Sequence, residues 1–127
     1  MSQIFHYQND GSDRNALEVG AKFDRFVLIG TEDSAGVFTP DDLTGREARM
    51  QVRDGDGTLI LEFKKSDSTA TVVALSGRIN LLQSAVVTTA LTAGCYFYDL
   101  EHFDPADLTD VIRELEGNFQ VSDEVTT

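Results

Sequence analysis

The chain has 127 residues, 41% hydrophobic and 25% charged, a length and composition that suit one globular domain able to bury a core without disulfides or a metal. Ten basic residues stand against twenty-two acids, a formal charge of −12. That sign is wrong for neutralising phosphates, so no nucleic acid is expected as a partner, and no apolar run approaches the length that crosses a bilayer, so no membrane is expected either.

Residues 1–25 lack a basic start and an apolar stretch, so no secretory signal is expected. The domain is taken as 1–127, with the polar ends 1–15 and 122–127 read as possible extended arms. Residues 23–29 are apolar enough for a strand but alternate poorly. Asp42-Leu43-Thr44-Gly45 sets a turn, and 46–53 then alternates cleanly, Ala48, Met50 and Val52 on one face and Arg49, Gln51 and Arg53 on the other.

Asp54-Gly55-Asp56-Gly57 comes next, followed by 58–64, where period 2 puts Leu59, Leu61 and Phe63 together. Two alternating runs joined by an Asp-Gly turn predict a β-hairpin. Residues 69–75 and 77–82 supply two further strand candidates. Ser84 as an N-cap with Gly94 beyond the end predicts one or two helical turns over 84–91, crossing between strands.

Residues 94–101 place Tyr96, Tyr98 and Leu100 on one side, and 113–121 places Leu115, Gly117, Phe119 and Val121 inward against Glu114, Glu116, Asn118 and Gln120; the two runs are expected to pair. Between them, Asp104-Pro105 opens either a helix carrying Leu108, Val111, Ile112 and Leu115 or a loop at 104–109 followed by a strand. Alternation through Val121 favours the loop and strand. Six to seven short strands with Gly and Asp turns predict an all-β protein, a single antiparallel immunoglobulin-like β-sandwich with one or two short helical turns.

The sequence offers little for a reactive or metal site. Counted from Asp54, a calcium loop of the EF-hand type would need an acid or amide, Gly and Glu where Thr58, Leu59 and Lys65 stand, so a plain turn is expected. Asp33, Asp41 and Asp42 are the acids most able to meet a cation between loops. His6 and His102 belong to no metal-binding pattern, and His102 shares its strand face with Tyr98 and Leu100, as a packed or edge histidine would. The single Cys95 reads as a small buried hydrophobe.

Neither a nucleophile elbow nor a phosphate-binding glycine loop occurs. Paired acids about 5 Å apart could serve glycan hydrolysis, but no pattern among the twenty-two acids selects a pair. No catalytic, cofactor-binding or metal-binding residue is therefore assigned, and no cofactor is expected. Phe38, Tyr96 or Phe103, if exposed, would be the rings to offer a sugar.

Asp42-Leu43-Thr44-Gly45, the run Ala48 to Arg53, Thr89-Ala90-Leu91-Thr92-Ala93-Gly94 with Tyr96-Phe97-Tyr98-Asp99-Leu100, and the closing Gly117-Asn118-Phe119-Gln120-Val121 together resemble, in order and spacing, a family of small bacteriophage and prophage structural proteins similar to the N-terminal domains of phage baseplate upper proteins. The likeness spans about residues 20–125. The chain departs from it in a long stretch at 66–76 and in 103–110, which replaces a short turn; those loops are where contacts peculiar to this member are expected.

The resemblance implies an immunoglobulin-like sandwich serving in the virion, assembled in the host cytoplasm and binding other virion proteins, in several copies or as a homo-oligomer. It implies a tail, baseplate or fibre-junction adaptor, with capsid decoration as the alternative position, and it brings no catalytic residue; a carbohydrate-binding module is a separate alternative, since β-sandwiches often present aromatic rings to sugars. From the resemblance Gly94 and Gly117 are expected to allow close backbone approach, and Tyr96 and Tyr98 to pack in or beside the core.

Overall fold

The computed structural model describes the backbone of residues 3–8 and 16–123, with side chains from residue 17 onward. Ten strands form in chain order: β1 Gln3–Gln8, β2 Ala16–Glu18, β3 Phe23–Glu32, β4 Phe38–Pro40, β5 Glu47–Arg53, β6 Leu59–Lys64, β7 Ala70–Val73, β8 Arg78–Gln83, β9 Gly94–Asp104 and β10 Asp107–Ser122. One short helix, α1 Ala85–Thr89, and two 3₁₀ turns, Lys65–Asp67 and Ala74–Ser76, complete the described chain.

The strands make two five-stranded sheets. In the first, the order is β1-β3-β8-β7, and β4 pairs with the far end of β3. The second runs β2-β10-β9-β5-β6. All pairs are antiparallel except β2 with β10, which is parallel. An all-β architecture is thus present, but the expectation of a purely antiparallel arrangement is corrected: the chain reaches β2 from the other sheet, so β2 arrives alongside β10 in the same direction instead of by a hairpin.

Ten strands replace the six or seven expected. The additions, β1, β2 and β4, are strands of three to six residues at sheet margins. The predicted arm 1–15 is in part a strand, since Gln3–Gln8 pairs with β3 from Gln3↔Thr31 to Gln8↔Phe26. Its remaining residues lie outside the described ones. At the other end Ser122 closes β10, and 124–127 likewise lie outside.

The two sheets enclose one apolar core. Val27, Ile29, Ile79, Leu81 and Ala70 come from the first sheet; Met50, Val52, Phe63, Leu100, Phe119 and Val121 come from the second. Phe23 bridges them, its ring 5.6 Å from that of Phe63 and 5.9 Å from that of Phe119. Burial of this apolar surface is the main term holding the sheets together.

The β5–β6 hairpin forms as expected, and its turn is built by Asp54. Its Oδ1 accepts from the backbone N–H groups of Asp56 and Thr58 at 2.9 and 3.0 Å, and Gly57 takes the positive φ of 84° that closes the turn. One detail of that hairpin differs. A register shift between Val52 and Arg53 places Leu61 opposite Val52 but Leu59 opposite Arg53, so an extra residue intervenes and Leu59 turns outward, 42% exposed.

Close backbone approach occurs at Gly30 and Gly77, not at Gly94 or Gly117. A Cβ on Gly30 would lie 2.2 Å from the Thr39 carbonyl oxygen and 2.7 Å from the Phe38 ring; on Gly77, where φ is +58°, it would lie 2.3 Å from the Ile29 oxygen. At Gly94 and Gly117 the nearest atoms stand at 3.7 and 3.6 Å, ordinary contact with Tyr96 and Tyr98.

The helical turn falls where Ser84 announces it. Ser84 Oγ accepts from the N–H of Val87 at 3.3 Å, and α1 carries the chain from β8 in one sheet to β9 in the other. Among the described residues no helix follows β9: the chain turns at 105–106 and returns as β10, paired with β9 and carrying Phe119 and Val121 into the core.

Candidate functional site

The hairpin of β9 and β10 holds the most concentrated polar chemistry of the described residues. Arg46, in the turn before β5, sends its guanidinium under the end of this hairpin: Nε donates to His102 Nδ1 at 2.6 Å, Nη2 to the His102 carbonyl at 3.3 Å, and Nη1 to Asp110 Oδ2 at 3.0 Å. Only Arg offers planar donors in such a fork.

His102 is 4% exposed, on the same face as Tyr98 and Leu100, as its strand position predicts. Burial, then the neighbouring Arg46 charge, depress its pKa below the ordinary imidazole value, while Asp41 and Asp110 oppose them. With Nδ1 accepting from Arg46, the neutral ring carries its proton on Nε2, which faces Glu114 Oε2 at 3.7 Å.

Glu114 was expected on the outer face. Its side chain is instead 2% exposed, because a register shift between Arg113 and Leu115 inserts a residue into β10 and turns the carboxylate inward. Sequence alternation cannot show this. The cluster is an internal tie between the β5 entry and the hairpin end, made by the Arg46 bonds to His102 and Asp110.

On the outer face of the second sheet the charges interlock. Arg49 binds Glu101 across the β5–β9 pair and lies over Phe103, 5.1 Å from its centroid. Gln51 donates to Glu62 at 2.8 Å, a bond that lowers the Glu62 pKa. Arg113 reaches Asp99 at 3.5 Å and Glu116 at 3.8 Å.

Within this face Phe97 is 52% exposed. It borders a shallow cleft of about 170 Å³ with Gln51, Arg53, Tyr98, Asp99 and Glu116. The three rings expected to offer a sugar are otherwise occupied: Phe38 covers Gly30, Tyr96 donates its hydroxyl to the Thr92 carbonyl at 2.6 Å, and Phe103 lies beneath Arg49. All three are half-buried. Phe97 was missed because it faces away from Tyr96 and Tyr98. Cys95 shares that outward side and is exposed, which corrects its reading as a buried hydrophobe.

Asp33 and Asp42 serve their own turns. Asp33 Oδ1 accepts from the N–H groups of Ala35 and Val37 at 2.9 and 3.0 Å; Asp42 Oδ1 accepts from the Thr44 N–H at 3.0 Å and its hydroxyl at 2.5 Å, which lowers the Asp42 pKa. Asp41 uses its N–H on the Ile29 carbonyl. Among the described residues no group of three or more His, Cys, Asp or Glu is placed to hold a metal ion. The His6 side chain lies outside the described residues.

Apolar residues also stand at the surface. Leu108 is 72% exposed, Val111 41% and Ile112 44%, all near the hairpin end, and Leu75 and Val86 project elsewhere. No helix of the described chain is long and apolar enough to cross a membrane. Comparison with protein-family models and with curated proteins returns no match to the chain.

Proposed function

We propose that the protein is a non-enzymatic structural protein of a bacteriophage virion, a tail, baseplate or fibre-junction adaptor that binds other virion proteins, and that its two sheets are an immunoglobulin-like sandwich bearing an added parallel edge strand. The observation that carries the reading is where the family-like residues fall. Leu43, Ala48, Met50, Val52, Tyr98, Leu100, Phe119 and Val121 all join the one core, and Asp42 fastens the turn that leads into β5.

Those residues thus specify a framework, the property an adaptor needs, and the exposed strand margins and hairpin end are what it offers to neighbours. Mass spectrometry of purified, intact particles tests the proposal. Detection at a fixed copy number supports it, and absence from intact particles overturns it. Recovery with capsids stripped of tails would assign the protein to the capsid surface, the alternative position within the same class.

A carbohydrate-binding reading has one observation in its favour, the exposed Phe97 ring beside Gln51, Arg53, Asp99 and Glu116. Glycan-array binding that vanishes in Phe97→Ala would support it. Binding that is absent, or that survives this substitution, removes it.

A further inference from the structure

The pairing of β9 with β10 is interrupted near the hairpin end. Asp107 pairs with Asp104 and Val111 with Phe103, so 108–110 stand as a bulge without a partner in β9. Within it Thr109 turns back on Asp107, its N–H and hydroxyl both donating to Asp107 Oδ1. Asp110 reaches across to Arg46 instead, whose Nη1 donates to Oδ2 at 3.0 Å and whose Nη2 donates to the Asp110 carbonyl at 3.2 Å and to Oδ1 at 3.3 Å. These bonds seat the bulge on the entry of β5.

The same guanidinium also serves His102, and the two duties are linked. Its Nε–H donates to His102 Nδ1 at 2.6 Å, which requires that nitrogen to be bare. A proton on Nδ1 would set two donors and two positive charges face to face at a separation that suits only a hydrogen bond. One of the two groups must then move away.

Burial decides which. His102 is 4% exposed on the core side of β9, beside Tyr98 and Leu100, and its Nε2 faces the Glu114 carboxyl group at 3.7 Å. The ring has no way out. Arg46 is 15% accessible and Asp110 47%, so the guanidinium can move outward along the exposed acid that it already binds. Among the described residues the charged or titratable groups facing the ring are Arg46 and Asp41 from the chain before β5 and Asp110 and Glu114 from β10, with Tyr98 on its own strand face. Arg46 opposes a proton on the ring, and Asp41 and Asp110 favour it.

The geometry points to an acid-sensitive latch: a proton on His102 Nδ1 drives the Arg46 guanidinium off the ring, and the 108–110 bulge loses its seat while both sheets stay folded. The latch is closed above the ordinary imidazole value of about 6.5. Because burial and then Arg46 hold the His102 pKa below that value, it opens only as the pH falls further. Leu108, 72% exposed, rides on the bulge, and Val111, 41% exposed, borders it. A molecule that meets this end at neutral pH therefore meets a different surface in acid.

Nuclear magnetic resonance on the whole protein tests the latch, because the His102 ring shifts, the Arg46 Nε–H signal and the backbone order parameters are read in one titration from about pH 7.5 to about 5. As the ring titrates, the Arg46 Nε–H signal is expected to be lost. Order parameters at 108–110 are expected to fall from about 0.85 to under about 0.6, with those at 48–52 in β5 unchanged. His102→Asn is expected to abolish the change, and His6→Asn, at the only other histidine, to leave it. An Nε–H signal or a bulge order that persists through the His102 titration overturns the inference, as does a change that survives in His102→Asn. Loss of order across both sheets at the same midpoint, or a ring that stays neutral until the fold is lost, overturns it too. The natural protein alone supplies these last readings, so they stand even where a variant does not fold.

Discussion

Arg46 Nε and His102 Nδ1 stand 2.6 Å apart across 56 residues of sequence, and their hydrogen bond fixes which ring nitrogen is bare. A second proton has no place on Nδ1 while that donor is there. His102 is therefore held neutral in the fold by burial and by Arg46, with Asp41 and Asp110 pulling weakly the other way and Glu114 facing Nε2.

The sign of the pH effect follows. In the unfolded chain His102 takes its proton near pH 6.5, whereas in the fold it resists until lower pH. Below about 6.5 the unfolded state binds more protons, so this residue's stability is complete above that pH and is lost as the pH falls through the folded value, at no more than about 1.4 kcal/mol per pH unit. His102→Asn keeps an acceptor for Arg46 and removes the titration. Melting curves from pH 7.5 to 5 are expected to show the natural protein losing stability relative to this variant; parallel curves would contradict the assignment.

Phe63 is fully buried and its ring meets Phe23 from the opposite sheet. Phe63→Ala leaves a cavity between sheets that cannot slide together, and is expected to cost about 3–5 kcal/mol in urea unfolding. Phe97→Ala, on the outer face, is expected to stay within about 0.5 kcal/mol. Similar losses for both would mean that the core is not where the two sheets place it.

Gly77→Ala tests the corner between β7 and β8. The position combines φ of +58° with a Cβ only 2.3 Å from the Ile29 oxygen, an oxygen that also accepts from Asp41. Backbone strain alone amounts to about 1–2 kcal/mol, and the clash adds to it. Gly55→Ala, with open space around it, is the control and is expected to be nearly neutral.

The sequence exposes this framework where one face of a strand is buried and the chain is regular. β5 alternates without a break, so Ala48, Met50 and Val52 are found inward as read, and His102 falls beside Leu100 for the same reason. Sidedness fails at the two bulges, where one added residue sends Leu59 out and Glu114 in. β2 and β4 escape notice because three residues are too few to show a period, and Pro40 within β4 reads as a strand breaker, while β1 falls in a stretch whose polarity suggests an arm. The Arg46 tie to Asp110 joins residues 64 apart, a separation for which a single sequence holds no signal.

Asp54→Ala removes both turn bonds that the carboxylate makes, and is expected to lower stability by about 1 kcal/mol. Asp56→Ala removes an exposed side chain for which no such bond is seen, and is expected to be near neutral. With Asp54 Oδ1 committed to two N–H groups, millimolar calcium is expected to leave the melting temperature where it was. A rise with calcium that is lost in Asp54→Ala would make the turn a cation site.

Arg46→Lys and Arg49→Lys separate an internal tie from a surface pair. Arg49 binds Glu101 on the exposed outer face with its side chain 39% accessible, where a lysine keeps the charge and water replaces what is lost, so a change under about 1 kcal/mol is expected. Arg46 is 15% accessible and serves His102 Nδ1, the His102 carbonyl and Asp110 at once. One ammonium cannot reach all three, and buried acceptors left without a donor cost about 1–3 kcal/mol. Because Asp110 lies between Leu108 and Ile112, that loss falls on the hairpin end. Arg46→Lys is therefore expected to speed amide exchange at 108–112 before the rest of β10. Uniform acceleration across both sheets would mean instead that Arg46 stabilises the fold as a whole and does not shape this end in particular.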